Sequence, residues 1–247
     1  MGAVGVAASD FMEDRMKGLA EETVRDGFTV LPAAQVRPLL AQGELTEFAR
    51  FWADLPLDTT LHDGGRYRQR RYGRLRVEIH DDGTEFEVLP HTTFRQDGIP
   101  LWKGADRSFA PAGEEALLHP AMTALVGFDT GLAHTITGGR SWEVGIHQIR
   151  MIAHAGEEGL PTPEGRHRDG HCYIGMHLIR REGCVGGEST VYPDGGEAVR
   201  LTLTEQMDSL FVDDRLVTHE VSPTCAVGER AVRDMLLVDI NPFGSDA

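Results

Sequence analysis

The sequence predicts an α+β chain, with helices in its first half and an antiparallel β-sandwich or jelly roll in its second, the helices buttressing one sheet. Two observations carry this. Apolar residues recur at helical spacing only in the first half, as in Phe11, Met16, Leu19, Ala20 and Val24, and again in Leu117, Leu118, Met122, Leu125 and Val126. After Gly138-Gly139, short apolar runs alternate with Gly and Pro turns to the end of the chain. No linker, repeat or low-complexity tract divides the 247 residues, which suits a single domain over 1–247, helix-rich over 1–140 and β-rich over 141–242.

In order, a first helix is expected over residues 10–26, capped by Asp10 and stopped by Gly27. Residues 28–31 form a short strand that Pro32 ends. A second helix covers 34–52, interrupted near Pro38 and Gly43 and closed by Asp54-Leu55-Pro56. Residues 74–80 alternate charged side chains with Leu75, Val77 and Ile79, the pattern of a half-exposed strand. Asp82-Gly83 then turns the chain into a return strand over 86–89. A third helix spans 113–133 and is kinked or split at Pro120. Strands follow over 142–154 and 173–179, then a Gly186-Gly187 turn and a strand over 188–192. The last three strands lie within 207–214, 215–223 and 233–240.

Composition sets limits. A hydrophobic content of 40% is enough for a sizeable core. With 24 basic and 39 acidic residues the net charge is −15, which argues against nucleic acid and anionic membranes as partners. No apolar run approaches the ~18 residues of a membrane span. MGAVGVAASDF has no basic leading region, and Asp10, Glu13 and Asp14 follow at once, unlike a signal peptide. Val6 stands where a myristoylation motif needs Ser or Thr. Three cysteines, an odd number with no CxxC pair, predict no disulfide framework and fit a reducing cytoplasm.

His167-Arg168-Asp169 is the stretch with metal chemistry in it. Two residues apart on extended backbone, His167 and Asp169 point to one face and converge on a single divalent ion. His219, 50 residues after Asp169, is the best third ligand. Two His and one carboxylate make the facial triad of non-haem Fe(II) oxygenases, which leaves three positions open for substrates and O2. Oxygen activation there needs two further electrons, which 2-oxoglutarate can supply. Its distal carboxylate then needs a cation, and a bidentate Arg serves well. Arg233, 14 residues after His219 at the head of an apolar strand, is preferred, with Arg230 as the rival.

Candidates for the substrate are less specific. Residues 66–72 are the one basic concentration in an acidic chain, and Arg70, Arg71 and Tyr72 within it could capture a carboxylate. The structural alternative is a solvated strand edge. Gln148 and Arg150 share one strand face, and His147, Ile149 and Met151 the other. Either face could line the barrel, and an ion pair is the structural reading of Arg150. Glu188, beside Gly186-Gly187, could receive an ammonium or sit at an edge. Tyr173 and Tyr72 could be pocket walls or plain core.

These residues carry a resemblance. PTPEGRHRDG (161–170), the strand through Tyr173 and His177-Leu178, GGEST (186–190), HEVSP (219–223) and RDMLLVDI (233–240) are similar to the 2-oxoglutarate/Fe(II)-dependent dioxygenase family that includes bacterial L-isoleucine 4-hydroxylase. HQIR (147–150) and RRYG (70–73) fit the same family. The resemblance implies a double-stranded β-helix, the jelly-roll, cupin-like core. It also implies His167, Asp169 and His219 as iron ligands and an Arg opening the last strand as the 2-oxoglutarate clamp. The implied reaction is hydroxylation of an unactivated carbon of a free L-amino acid or close derivative, with Fe(II) as the metal cofactor, 2-oxoglutarate and O2 as co-substrates, and succinate and CO2 as co-products. Two readings compete. A cupin-like metal isomerase or hydrolase would form no succinate, and a non-catalytic jelly-roll binding module would bind no iron.

Overall fold

The computed structural model describes residues 3–96 and 98–244, with side chains from residue 13 on. Its helical part opens with α1 (Ala3–Asp26), which runs through Asp10, so Asp10 is not its cap. Gly27 ends it at φ 81°, where a Cβ would come within 2.5 Å of Val217 Cγ1. β1 (Phe28–Leu31) follows as expected. The predicted second helix is instead α2 (Ala33–Val36), a 3-10 turn at Arg37–Leu39, α3 (Glu44–Phe48) and a second 3-10 turn at Ala49–Trp52. Pro38 supplies no backbone N–H and Gly43 takes φ 92°, so the periodic apolar positions end up on short pieces.

β2 (Arg68–His80) begins six residues before the expected strand and takes in most of the basic cluster. β3 (Gly83–Val88) returns from it, and β4 (Ala110–Pro111) adds a short parallel pairing. The third helix is split into α4 (Glu114–Leu117) and α5 (Pro120–Thr137). Pro120 sits at the start of α5, and the His119 side chain accepts from Ala121 N at 3.2 Å. Strands then dominate: β5 (Ser141–His154), β6 (Glu158–Gly159), β7 (Tyr173–Glu182), β8 (Cys184–Gly186), β9 (Ser189–Pro193), β10 (Val199–Leu201), β11 (Ser209–Asp213), β12 (Val217–Val221), β13 (Thr224–Ala226) and β14 (Arg230–Pro242). The final strand starts at Arg230, three residues before the expected 233.

The large sheet runs β1-β11-β7-β14-β5-β2-β3, antiparallel along this path, with β4 beside β2. Smaller sheets run β10-β9-β12 and β6-β13-β8. Together they form a jelly-roll core. Strand alternation divides the large sheet into two faces. Leu75, Val77, Val144, Ile146, Leu236, Val238 and Ile240 pack on α1 and α5 in the larger apolar cluster. Ile174, Met176, Leu178 and Met235 face the opposite way and meet Val191, Val217 and Leu203 inside the barrel.

Polar groups on the helical face are paired internally. His177 lies between Asp129 Oδ2 at 2.9 Å and Ser209 Oγ at 2.8 Å, with all three buried. This has the order of a hydrolase triad, but it is sealed in the core. Arg150 forms a bidentate pair with Asp234, both distances 2.7 Å, across the β5–β14 register. No helix among the described residues is long and apolar enough to cross a membrane.

Candidate functional site

The loop between β6 and β7 brings two ligand types to one point. His167 and His219 exchange both backbone hydrogen bonds, at 3.0 and 2.9 Å, so loop and β12 are locked together there. Arg168 turns outward to Asp194, leaving His167 and Asp169 on the inner side. Buried Asp214 accepts from the backbone N–H groups of Asp169, Gly170 and His171, at 3.2, 2.7 and 3.2 Å, which fixes the bend. Gly170 takes φ 90° in it.

The ligand atoms of His167, Asp169 and His219 lie within 4.8 Å of one another. His167 Nε2 is 3.4 Å from Asp169 Oδ1, and His219 Nε2 is 3.3 Å from Asp169 Oδ2. His167 Nδ1 donates to Gly165 O at 2.8 Å, so Nε2 is the nitrogen that faces inward. Burial alone would raise Asp169, but hydrogen bonds from both imidazoles hold it well below the usual carboxylate range. Burial disfavours a charged His167, yet the hydrogen bond and charge of Asp169, with Glu164 behind them, lift it to about 9. Two imidazoles and one carboxylate, convergent and partly buried, are the donor set of a facial divalent-metal site and fit Fe(II).

The triad lines a cavity whose other walls are unusually cationic. Arg68 and Arg70 of β2, Arg107, and Arg233 of β14 all face it, with Ile149, Met151, Met176, Leu203, Met235 and Leu237 supplying apolar surface. Register places these side chains in rows across three strands. Arg68, Met151 and Arg233 form one row, and Arg70, Ile149 and Met235 the next. Arg233 is therefore two strands from Arg68, roughly 10 Å at the usual strand spacing, with an apolar strip between them.

Arg233 is 4% exposed and has no hydrogen bond or ion pair among the described residues, and its Nε is buried without a partner. Burial, and next the nearby Arg181, push its guanidinium down to about 10. Gly187, at φ 64°, makes room for it, since a Cβ there would sit 3.2 Å from Arg233 Cδ. Arg230 is exposed at the strand's start and does not line the cavity.

The second cationic wall is held from behind. Arg68 Nε donates to Asp58 Oδ2 at 2.8 Å. Burial, then Arg68 and Arg107, push the Arg70 guanidinium down to about 9. Arg70 reaches His147 Nδ1 from NH2 at 2.6 Å, and His147 Nε2 lies 2.8 Å from Asp239. Burial and Arg70 lower His147 to about 4, so it is neutral, accepting at Nδ1 and donating from Nε2. Arg107 lies over the Trp102 ring at 4.3 Å and donates to Gln96 Oε1, and Gln96 Nε2 donates to Asp169 Oδ1 at 2.7 Å. One relay thus joins this wall to a ligand.

Several expected substrate residues stand elsewhere. Arg71 is on the outer face of β2, donating to Pro111 O at 3.0 Å, because adjacent strand residues point oppositely. Tyr72 shares the inner face but packs behind the cavity, stacked on His147 at 4.6 Å. Gln148 and Arg150 are on the helical face, with Gln148 reaching Phe51 O and Arg150 bound to Asp234. It is Ile149 and Met151 of β5 that line the cavity. Tyr173 is core, stacked on Phe211 at 5.6 Å. Glu188 is half-exposed and 4.0 Å from Arg200. The sequence reading held Arg68 within the basic cluster without singling it out, and it missed Gln96, Arg107 and Glu164 as cavity-lining residues. Alternation with Leu75 and Val77 would have put Arg68 on Arg70's face, and Glu164 lies inside PTPEGRHRDG. Gln96 and Arg107 sit in irregular chain with no periodic signal.

Comparison with known proteins agrees with this geometry. The family model described as 2OG-Fe dioxygenase matches residues 49–239. L-isoleucine-4-hydroxylase of Bacillus thuringiensis is 26% identical over 141 residues, a stretch that spans 55% of this chain and 58% of that relative. A bsmA homolog from Methylobium petroleophilum PM1 superposes with a TM-score of 0.85 at 29% identity, over 94% of this chain and 95% of that one. The structure of IDO from Bacillus thuringiensis gives 0.77 at 21% identity, over 92% and 99%. With a His-Asp-His site on a jelly roll and a family match through most of its length, the chain belongs to the 2OG-Fe dioxygenase family, whose enzymes use Fe(II), 2-oxoglutarate and O2.

Proposed function

We propose that this enzyme hydroxylates an unactivated carbon of a free L-amino acid or close derivative. Substrate, O2 and 2-oxoglutarate become hydroxylated product, succinate and CO2, with one oxygen atom in the product and one in succinate. The observation that carries the reading is the pair of cationic walls on one cavity, separated by Ile149 and Met151. A single carboxylate ligand would need one such wall, whereas two acids bound side by side use both.

His167, Asp169 and His219 would hold Fe(II), which supplies oxygen activation when bound. Arg233 would take the distal carboxylate of 2-oxoglutarate, since it is buried, cationic and free of an anion among the described residues. Arg70, with Arg68 and Arg107 beside it, would take the α-carboxylate of the amino acid. Met176, Leu203, Met235 and Leu237 exclude water and suit an aliphatic side chain. The relative named L-isoleucine-4-hydroxylase supports an amino acid as substrate. The reading includes a single catalytic unit working in the cytoplasm, where the free thiols of Cys172, Cys184 and Cys225 are at home.

The test is anaerobic loading with Fe(II) and 2-oxoglutarate, then admission of oxygen with each L-amino acid in turn. At least one, expected among the aliphatic ones, should stimulate succinate release and gain one oxygen atom by mass. Succinate release unaffected by every amino acid would overturn the reading.

A further inference from the structure

Two acidic side chains line the cavity, Asp169 and Glu164, and the reading above gives work only to the first. Glu164 lies three residues before His167 in a turn tied down from both sides. Thr162 Oγ1 donates to Val221 O at 3.1 Å and accepts from Val221 N at 3.0 Å, and Gly165 N donates to Thr162 O at 2.9 Å. The side chain is 10% exposed, so its direction is set by the fold. Oε1 stands 3.5 Å from His167 Nε2, while Oε2 is buried without a hydrogen-bond partner. A buried carboxylate oxygen left so is unfavourable unless a cation or donor comes to it. His167 Nε2 is also the atom an iron ion would take, so that contact is not reserved for Oε1.

The surroundings say what that donor is. Arg107 feels the charge of Glu164, and Arg68, Arg70 and Arg107 press on one another with Asp58 as the acid on Arg68. The cavity thus offers uncompensated cations and one uncompensated anion beside the metal position. A ligand of opposite polarity, carboxylate at one end and ammonium at the other, satisfies both sets together.

Resting on the amino acid reading, we propose that Glu164 receives the α-ammonium of the substrate. With Arg70 and Arg107 it then reads both ends of the zwitterion and restricts the enzyme to substrates with an unblocked α-amine. A peptide-bound or N-acylated residue would place a neutral N–H against Glu164 and leave its charge buried.

Calorimetry on protein loaded anaerobically with Fe(II) and 2-oxoglutarate tests this. The probes are L-isoleucine and each amino acid that stimulates succinate release, every one paired with its 2-hydroxy acid. Wild type should bind the amino acid ~30-fold or more tightly than the hydroxy acid, the scale of a buried charge pair losing one partner. Glu164→Gln should lose most of that preference while Fe(II) affinity, titrated separately, stays within ~3-fold of wild type. Glu164→Asp, which keeps the charge, should retain part of the preference and guards against a folding artefact in the Gln variant. A Glu164→Gln protein that still discriminates like wild type overturns the assignment. So does one whose Fe(II) affinity collapses, because Glu164 would then serve the metal. Wild type binding none of the amino acids would instead overturn the amino acid reading, and this assignment with it.

Discussion

Asp169 and Arg233 show how much of the site depends on single side chains. Asp169 bridges both imidazoles and takes a hydrogen bond from Gln96. Asp169→Ala is expected to weaken Fe(II) binding by more than ~100-fold, the upper end of what losing a mere supporting partner costs, and to abolish succinate formation. Near-normal Fe(II) titration would move the centre elsewhere. Arg233→Ala should raise the KM for 2-oxoglutarate by ~30- to 1,000-fold, about 2–4 kcal/mol for losing one side of a buried charge-assisted pair, and Arg230→Ala should leave it unchanged. The same effect from Arg230→Ala alone would reverse the choice. Proton release gives a third check. In metal-free protein His167 stays protonated up to about 9. An ion binding at pH 7.5 must therefore displace a proton, and affinity should rise with pH until about 9. Calorimetry in buffers of different ionisation enthalpy should read about one proton released per metal ion. Much of this was legible in the sequence, because ligands two apart on extended backbone must share a face. Glu164, Gln96 and Arg107 were not, since their roles depend on where irregular chain crosses the barrel mouth.

At the scale of the strand, alternation decides which of two neighbouring arginines matters. Arg70 lines the cavity and Arg71 faces out. Arg150 lies between Ile149 and Met151 but points to the helices. Arg150 and Asp234 are both buried, and burial raises Asp234 despite its partner. Arg150→Ala leaves that carboxyl unpaired, and a loss of roughly 3–5 kcal/mol in unfolding free energy is expected, read by denaturant titration. The KM for 2-oxoglutarate should not move in the surviving native fraction, and a large rise would return Arg150 to the site. The long strands β5, β7 and β14 were legible because apolar residues recur along them and no turn pair interrupts. β2 was half seen, because Arg68 to Arg71 reads as surface until the cavity behind it is known. The second helix was overcalled, because spacing does not register the missing N–H of Pro38 or the left-handed turn at Gly43.

For the molecule as a whole, charge is divided between inside and outside. A chain of net −15 encloses four cavity arginines and must draw a dianion through its own field. Screening shortens from roughly 30 Å at 0.01 M salt to about 8 Å at 0.15 M. kcat/KM for 2-oxoglutarate should therefore rise over that range in steady-state assays, whereas a steady fall would mean that the cationic mouth governs the encounter. The proposed metal ligands and Arg233 come from residues 167–233, whereas Arg68, Arg70, Gln96 and Arg107 come from 68–107. His167 and His219 are bonded backbone to backbone, so the ligand spacing owes little to the earlier segment. Descent can therefore rewrite one half of the gene while the other stays still, and a library confined to codons 56–95 and 97–109, which spares Gln96 and its hydrogen bond to Asp169, should yield new substrate preferences among clones that still bind iron.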